Sequence, residues 1–311
     1  MKIGLIDVDS HNFPNLPLMK LSAWHKAQGD IVEWYSAMFS GYMDRVYMSK
    51  VFSFTPDYDL CINADEIIKG GSGYCIDMVD GKEVYDKSRD IDLAPGIENI
   101  SPDYSLYQEL TKNSAYGLLT RGCPRGCEFC HVGCKEGRVS HKVADLSEFW
   151  RDQKEIVLLD PNLLACKDNH NLLGQLTESG AWVDFSQGLD IRLMTAEKAE
   201  LLKQIKVKMV HFAWDNYKDI HKIVPKLKEF KDCTGWDARK MSVYVLVGFN
   251  STLDEDLERI YILRDLGYRP YVMVYNKSSL PARHLLKQLQ RWVNMRPVFQ
   301  TVRKFEDYLD K

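Results

Sequence analysis

Three cysteines stand within eight residues of one another in the run Arg121-Gly122-Cys123-Pro124-Arg125-Gly126-Cys127-Glu128-Phe129-Cys130, spaced C-x3-C-x2-C. Cysteines this close, beside glycines and a proline, suggest metal ligands. A cuboidal iron–sulfur cluster normally takes four thiolate ligands. Three would leave one iron open to a substrate or cofactor. Zinc is a competing occupant, with Cys134 as a fourth ligand at a further x3 spacing. Structural zinc sites more often come as two separated pairs, or as cysteines with distant histidines, and no second pair follows here. Inert buried cysteines are the third reading, and the clustering argues against it. Gly122 and Gly126 would let the backbone turn tightly around a bulky group, where a Cβ restricts the chain. Cys134 is expected to be a free buried thiol.

A loop of this kind must be delivered by regular structure. Tyr116–Thr120 reads as the strand that does so. Five more predicted strands follow, each ending in polar residues: Glu155–Leu159 before Asp160-Pro161-Asn162, Trp182–Phe185 before Ser186-Gln187-Gly188-Leu189-Asp190-Ile191-Arg192, Val210–Trp214 before Asp215, Ser242–Val247 before Gly248-Phe249-Asn250, and Tyr271–Tyr275 before Asn276. Helical patterns lie between them, as at Ala196–Ile205 and Leu253–Leu266. In parallel α/β assemblies chemistry gathers at the C-terminal ends of the strands. The expected fold class is therefore α/β. Residues 105–284 are expected to form a partial (β/α)6 barrel. Residues 1–104 alternate strand and helix earlier in the chain, with strands at Lys2–Asp9, Ile31–Tyr35, Arg45–Ser49 and Glu66–Lys69 and a helix at Leu18–Gln28. This reads as an open Rossmann-like sheet. A polar stretch from Asp86 to Tyr104 connects the two. Residues 285–311 form a helical, aromatic-rich extension expected to pack against the barrel edge.

Composition narrows the function classes. The formal charge of −3 offers no basic field for a nucleic-acid backbone. Eight cysteines without paired spacing do not resemble a secreted disulfide framework. The apolar run Ile3–Ile6 meets Asp7 at once, too short for a signal peptide, and no long apolar segment follows. A reducing cytoplasm with no membrane association is the expected setting.

The cysteine loop and the strand-end residues over about 114–280 together resemble the radical S-adenosylmethionine (SAM) superfamily. Residues 1–104 resemble the cobalamin-binding-like domain that precedes the barrel in one branch of it, with Ala64-Asp65-Glu66-Ile67-Ile68-Lys69-Gly70-Gly71-Ser72-Gly73 near its end. The resemblance implies that Cys123, Cys127 and Cys130 hold a [4Fe–4S] cluster whose open iron chelates SAM. Reductive cleavage would then yield a 5′-deoxyadenosyl radical. It places Phe129 beside adenine. The family's Gly-Gly-Glu after the second strand is here Leu159-Asp160-Pro161-Asn162, a departure. Asp160 could accept from the methionine ammonium with help from Asn162, or the pair could form an Asx turn. Gln187 and Asp190 could bind ribose hydroxyls, and Arg192 the methionine carboxylate. A structural Asp190–Arg192 ion pair is the competing account. Gly248 would let backbone approach adenine, or simply make a turn. Trp214, Asp215, Tyr244 and Tyr275 are weaker cavity candidates.

Domains of the N-terminal kind carry Asp-x-His-x-x-Gly, whose histidine ligates cobalt. This chain has Asp9-Ser10-His11-Asn12-Phe13-Pro14, with proline in place of the glycine, so cobalamin is not expected. The resemblance implies a radical SAM enzyme with an unidentified small-molecule, peptide or nucleotide substrate, fed by a donor such as flavodoxin or ferredoxin. The alternative is a non-catalytic zinc or iron–sulfur protein, regulatory or electron-transferring. An electron carrier would usually supply four cysteines per cluster.

Overall fold

The computed structural model describes residues 1–10 and 12–310. The chain divides into two compact units, Met1–Val157 and Leu158–Lys311. The expected boundaries at 104 and 284 fall inside them.

The first unit begins with four strands, β1 (Lys2–Asp7), β2 (Ile31–Trp34), β3 (Met43–Ser49) and β4 (Ala64–Gly70), all parallel in the order β2-β1-β3-β4. Ile3 and Leu5 of β1 face the helix Leu16–Ala27 and pack with Leu18, Leu21 and Tyr47. Asn15 caps that helix by accepting from Leu18 N–H at 3.2 Å. Ile6 looks the other way and joins Tyr35, Met43, Val46 and Met48, as the period of two requires. The links from β2 to β3 and from β3 to β4 contain no helix. That departs from the expected alternation, and segments 35–42 and 50–63 cover the second face instead.

A hairpin not expected from sequence follows, pairing β5 (Ile76–Val79) with β6 (Lys82–Tyr85). Segment 86–104, expected as a plain connection, contains short helical turns. It returns to the first sheet, where Asp103 accepts from Ser22 Oγ at 2.6 Å and the Lys26 ammonium at 2.6 Å. The strand before the cysteines is shorter than expected. β7 (Ser114–Gly117) breaks before the two-residue β8 (Thr120–Arg121), which pairs with β9 (His141–Lys142). β10 (Glu155–Leu158) ends the unit.

In the second unit β11 (Trp182–Phe185), β12 (Lys206–Ala213), β13 (Met241–Val247) and β14 (Arg269–Val274) pair in parallel in chain order. They belong to a six-stranded sheet ordered β14-β13-β12-β11-β10-β7. Helices Asn169–Ser179, Ala196–Gln204, Ile220–Thr234 and Leu253–Asp265 intervene along the chain. The chain is thus mixed α/β with two parallel sheets. The C-terminal helices cover the β14 edge as expected. Asn294 accepts from Val272 N–H at 2.8 Å and donates to Val272 O at 3.0 Å, continuing the ladder with a side chain. Trp292 is fully buried beneath them. Among the described residues no helix is long and apolar enough to cross a membrane.

Candidate functional site

The cysteine loop is closed at its base by local forces. β8 and β9 align Arg121 with His141. Cys123 N–H donates to Gly137 O at 3.1 Å, and Val143 N–H to Leu119 O at 2.8 Å. Arg121 lies between two carboxylates, 2.7 Å from Glu98 and 3.0 Å from Glu136. Burial opposes its charge, but the two acids outweigh burial and hold its pKa up. Glu136 also accepts from Gly122 N–H at 3.1 Å.

Gly122 has φ +82°, and a Cβ there would stand 2.2 Å from Val139 O. No other residue fits that turn. Gly126 has φ +59°. Cys130 N–H closes onto Cys127 O at 3.0 Å, and the short helix Val132–Lys135 follows. Cys123, Cys127 and Cys130 are of intermediate exposure, and Phe129 is half-buried. Cys134 is exposed, which corrects the expectation of a buried thiol. It sits on the outer side of that short helix, whose four residues cannot bury every side.

The unexpected hairpin docks this loop. Glu83 meets His131 Nε2 at 3.2 Å, and the Tyr85 and His131 rings stack at 5.8 Å. Lys135 donates to Ser72 Oγ at 2.9 Å. The alternation of β5 and β6 is too short to have announced them.

Among the described residues no group of three or more His, Cys, Asp and Glu side chains is arranged to hold a metal ion. Tetrahedral zinc needs donors converging on one centre. The cysteines of a cubane each bind a different iron and need not converge. The loop therefore suits a cluster by donor type and by a turn only glycine can make.

In the second unit Asp160 and Asn162 are buried after β10. Asn162 precedes the turn Leu163–Ala165, and its side chain does not cap that turn. Gln187 is exposed after β11. Asp190 caps the turn Ile191–Leu193 and holds Arg192 Nε at 2.8 Å; Arg192 Nη1 reaches Asp219 at 3.2 Å. The structural ion pair is thus present, leaving the guanidinium shared between two acids. Gly248 has φ +75°, and its N–H points to Asp256 at 3.3 Å. Trp214 is buried core and Tyr244 donates to Ser186 O at 2.7 Å.

Two residues of this rim escaped the sequence reading. Asp256 and Arg259 are fully buried on the helix Leu253–Asp265. Arg259 donates to Trp214 O at 2.6 Å and Leu246 O at 2.8 Å, tying the ends of β12 and β13. Their signal was a charged pair at i, i+3 on the same face as Ile260 and Leu263. Asp215, a weak candidate, stands out beside them. Its Oδ1 is buried with no hydrogen-bond partner among the described residues. Burial pushes its carboxyl up to about 6, against the opposing charges of Arg259 and Arg192. His211 stacks on Tyr244 at 4.8 Å, and burial, with Arg269, lowers it to about 4, so it is neutral at pH 7.

No protein-family model matches this chain, and no curated protein matches its sequence. The functional reading therefore rests on the residues themselves.

Proposed function

We propose that the chain is a radical SAM enzyme, with Cys123, Cys127 and Cys130 holding a [4Fe–4S] cluster. The observation that carries this is the loop itself: three cysteines spaced C-x3-C-x2-C on a glycine-hinged turn. When bound, the cluster would supply the electron that splits SAM into methionine and a hydrogen-abstracting 5′-deoxyadenosyl radical. In this reading the first sheet is Rossmann-like and the second is a partial (β/α)6 barrel.

The protein's part is to bind, orient and exclude water. Phe129 would stack on adenine. Asp160, with Asn162, would take the methionine ammonium, replacing the absent Gly-Gly-Glu. Gln187 and Asp190 would accept from ribose hydroxyls. Arg192, already oriented by Asp190 and Asp219, would take the methionine carboxylate. Gly248 would let its backbone approach adenine. A flavodoxin- or ferredoxin-like donor would reduce the cluster, and the substrate is a small molecule, peptide or nucleotide.

The test is anaerobic reconstitution of single alanine variants. Cys123→Ala, Cys127→Ala and Cys130→Ala should each lose iron and broad visible absorption, while Cys134→Ala keeps both. Full retention in any of the three removes that residue from the ligand set. The parent, loaded and reduced, should convert SAM to 5′-deoxyadenosine. A well-loaded protein that never does so, even with cell extract as a substrate source, refutes the enzyme reading.

A further inference from the structure

The second unit carries a pocket of about 200 Å³ at the N-terminal end of β14. Arg269, the first residue of that strand, lines it. So do Arg264 from the helix Leu253–Asp265, Arg296 from the helix Arg296–Thr301, and Arg303 just beyond that helix. Gln300 and Phe299 join them, and no carboxylate lines the pocket. Among the described residues no acid stands within ion-pair distance of any of the four arginines. Four fixed positive charges around one pocket repel each other unless an anion enters.

One of the four is held in place by its neighbours. The Arg264 guanidinium lies over the Phe299 ring, 3.6 Å from its centre, and over Trp292 at 5.1 Å. Its Nη1 donates to Arg303 O and its Nη2 to Phe299 O at 3.2 Å. Burial and the Arg303 charge lower its pKa, against weaker support from Tyr261 and Asp265. The Arg269, Arg296 and Arg303 side chains have no hydrogen-bond partner among the described residues. The surrounding acids do not cancel this charge. Asp237 is taken by Arg239 at 2.8 Å, and Asp232 and Asp265 are exposed and screened by water. Lys231, which donates to Leu266 O at 2.7 Å, sets a further cation beside Gly267 of the pocket.

The volume is too small for a whole drug-sized molecule, and suits one anionic group with the rest of its ligand outside. A single carboxylate would leave most of the four charges unmatched. A terminal phosphoryl group carries nearly two negative charges and three acceptor oxygens, which arginine forks fit closely. We propose that this pocket binds the terminal phosphoryl or pyrophosphoryl group of a phosphorylated small molecule, with Arg269, Arg296 and Arg303 closing around it beside the fixed charge of Arg264. The site does not depend on the cysteine loop, so it stands or falls apart from the radical chemistry.

Isothermal titration calorimetry of the full chain at constant ionic strength tests this, with inorganic pyrophosphate and acetate as probes. Pyrophosphate should fill one saturable site, about tenfold or more tightly than acetate. Arg296→Glu and Arg303→Glu should each weaken it by about tenfold or more. Lys167→Glu, the same charge change on an exposed residue outside the pocket, should leave it within about twofold. Both arginines are exposed, so the fold should survive, and a thermal melt without ligand verifies that. A short oligothymidylate lacking a terminal phosphate should not displace pyrophosphate. No saturable pyrophosphate binding, equal affinity for acetate, arginine variants no weaker than Lys167→Glu, or displacement by the oligothymidylate would overturn the proposal.

Discussion

Asp215 shows how one residue can work against the fold that holds it. A carboxyl whose folded pKa lies near 6, against 3.8 for an ordinary aspartate, binds protons more readily folded than unfolded. Its ionisation therefore weakens the fold as pH rises from about 4 to 6. Two pKa units correspond to at most about 3 kcal/mol. Asp215→Asn should make the protein more stable than the parent at pH 8, by roughly 1–3 kcal/mol. The gain should fade near pH 4. Urea melts at both pH values check this, and an equal difference at both would assign the effect to packing rather than ionisation. Sequence alone showed Asp215 only as a polar residue after a strand. Its burial depends on Arg259, Trp214 and Leu246 meeting around it, and those contacts bridge distant parts of the chain. The cysteines needed no such help, because their type and spacing are local.

Elements were legible where the local apolar pattern is regular, and not where tertiary contact decides. Trp182–Phe185 and Phe305–Leu309 appear with the bounds expected, since apolar alternation or a bounded helical face sets each. The hairpin of β5 and β6 was missed because its strands are only four residues long and mostly exposed, with no apolar alternation in Ile76–Val79. Packing also fixes the last residue of β7: at Gly117 a Cβ would meet the Phe149 ring at 2.4 Å. The same reasoning separates two glycines of the cysteine loop. Gly122 has φ +82° and backbone in the way of a Cβ, whereas Gly137 has φ +92° and open space. Gly137→Ala should cost only about 1–2 kcal/mol of backbone strain. Gly122→Ala adds an overlap that only backbone movement relieves. Reconstituted Gly122→Ala should lose most of its iron despite intact cysteines, and Gly137→Ala should keep most of it. Similar iron content in both would mean the loop reshapes freely. At the other end of the chain, Asn294→Ala should destabilise by about 1–3 kcal/mol, because it leaves the Val272 N–H without its partner, whereas Gln290 Nε2 still donates to Val272 O at 3.0 Å. A thermal melt unchanged by the substitution would mean water replaces the amide at the β14 edge.

At the scale of the whole molecule the question is which cofactors the chain can seat. The N-terminal sheet has the parallel order of domains that bind ligands at their strand ends, and cobalamin is the ligand to test there. A histidine that ligates metal needs its second nitrogen oriented, commonly by a carboxylate. Asp9 is the candidate for that role, and both its oxygens are already engaged. Val51 N–H donates to one at 2.9 Å and Phe52 N–H to the other at 2.8 Å. Phe13 sets its ring edge-on to Phe52 at 6.3 Å, and Pro14 is buried just before the Asn15 cap. His11 itself lies outside the described residues. Asp9 thus acts as a staple between the first strand and segment 50–63, in a turn that bulky rings occupy. Freeing it for a cobalt-bound histidine would leave two backbone N–H groups to find new partners. Equilibrium dialysis against hydroxocobalamin should therefore show no tight, stoichiometric binding. Asp9→Ala should lower thermal stability without changing that result. Stoichiometric uptake that disappears in His11→Ala would reverse this reading and make cobalamin-dependent methyl transfer the reaction to pursue.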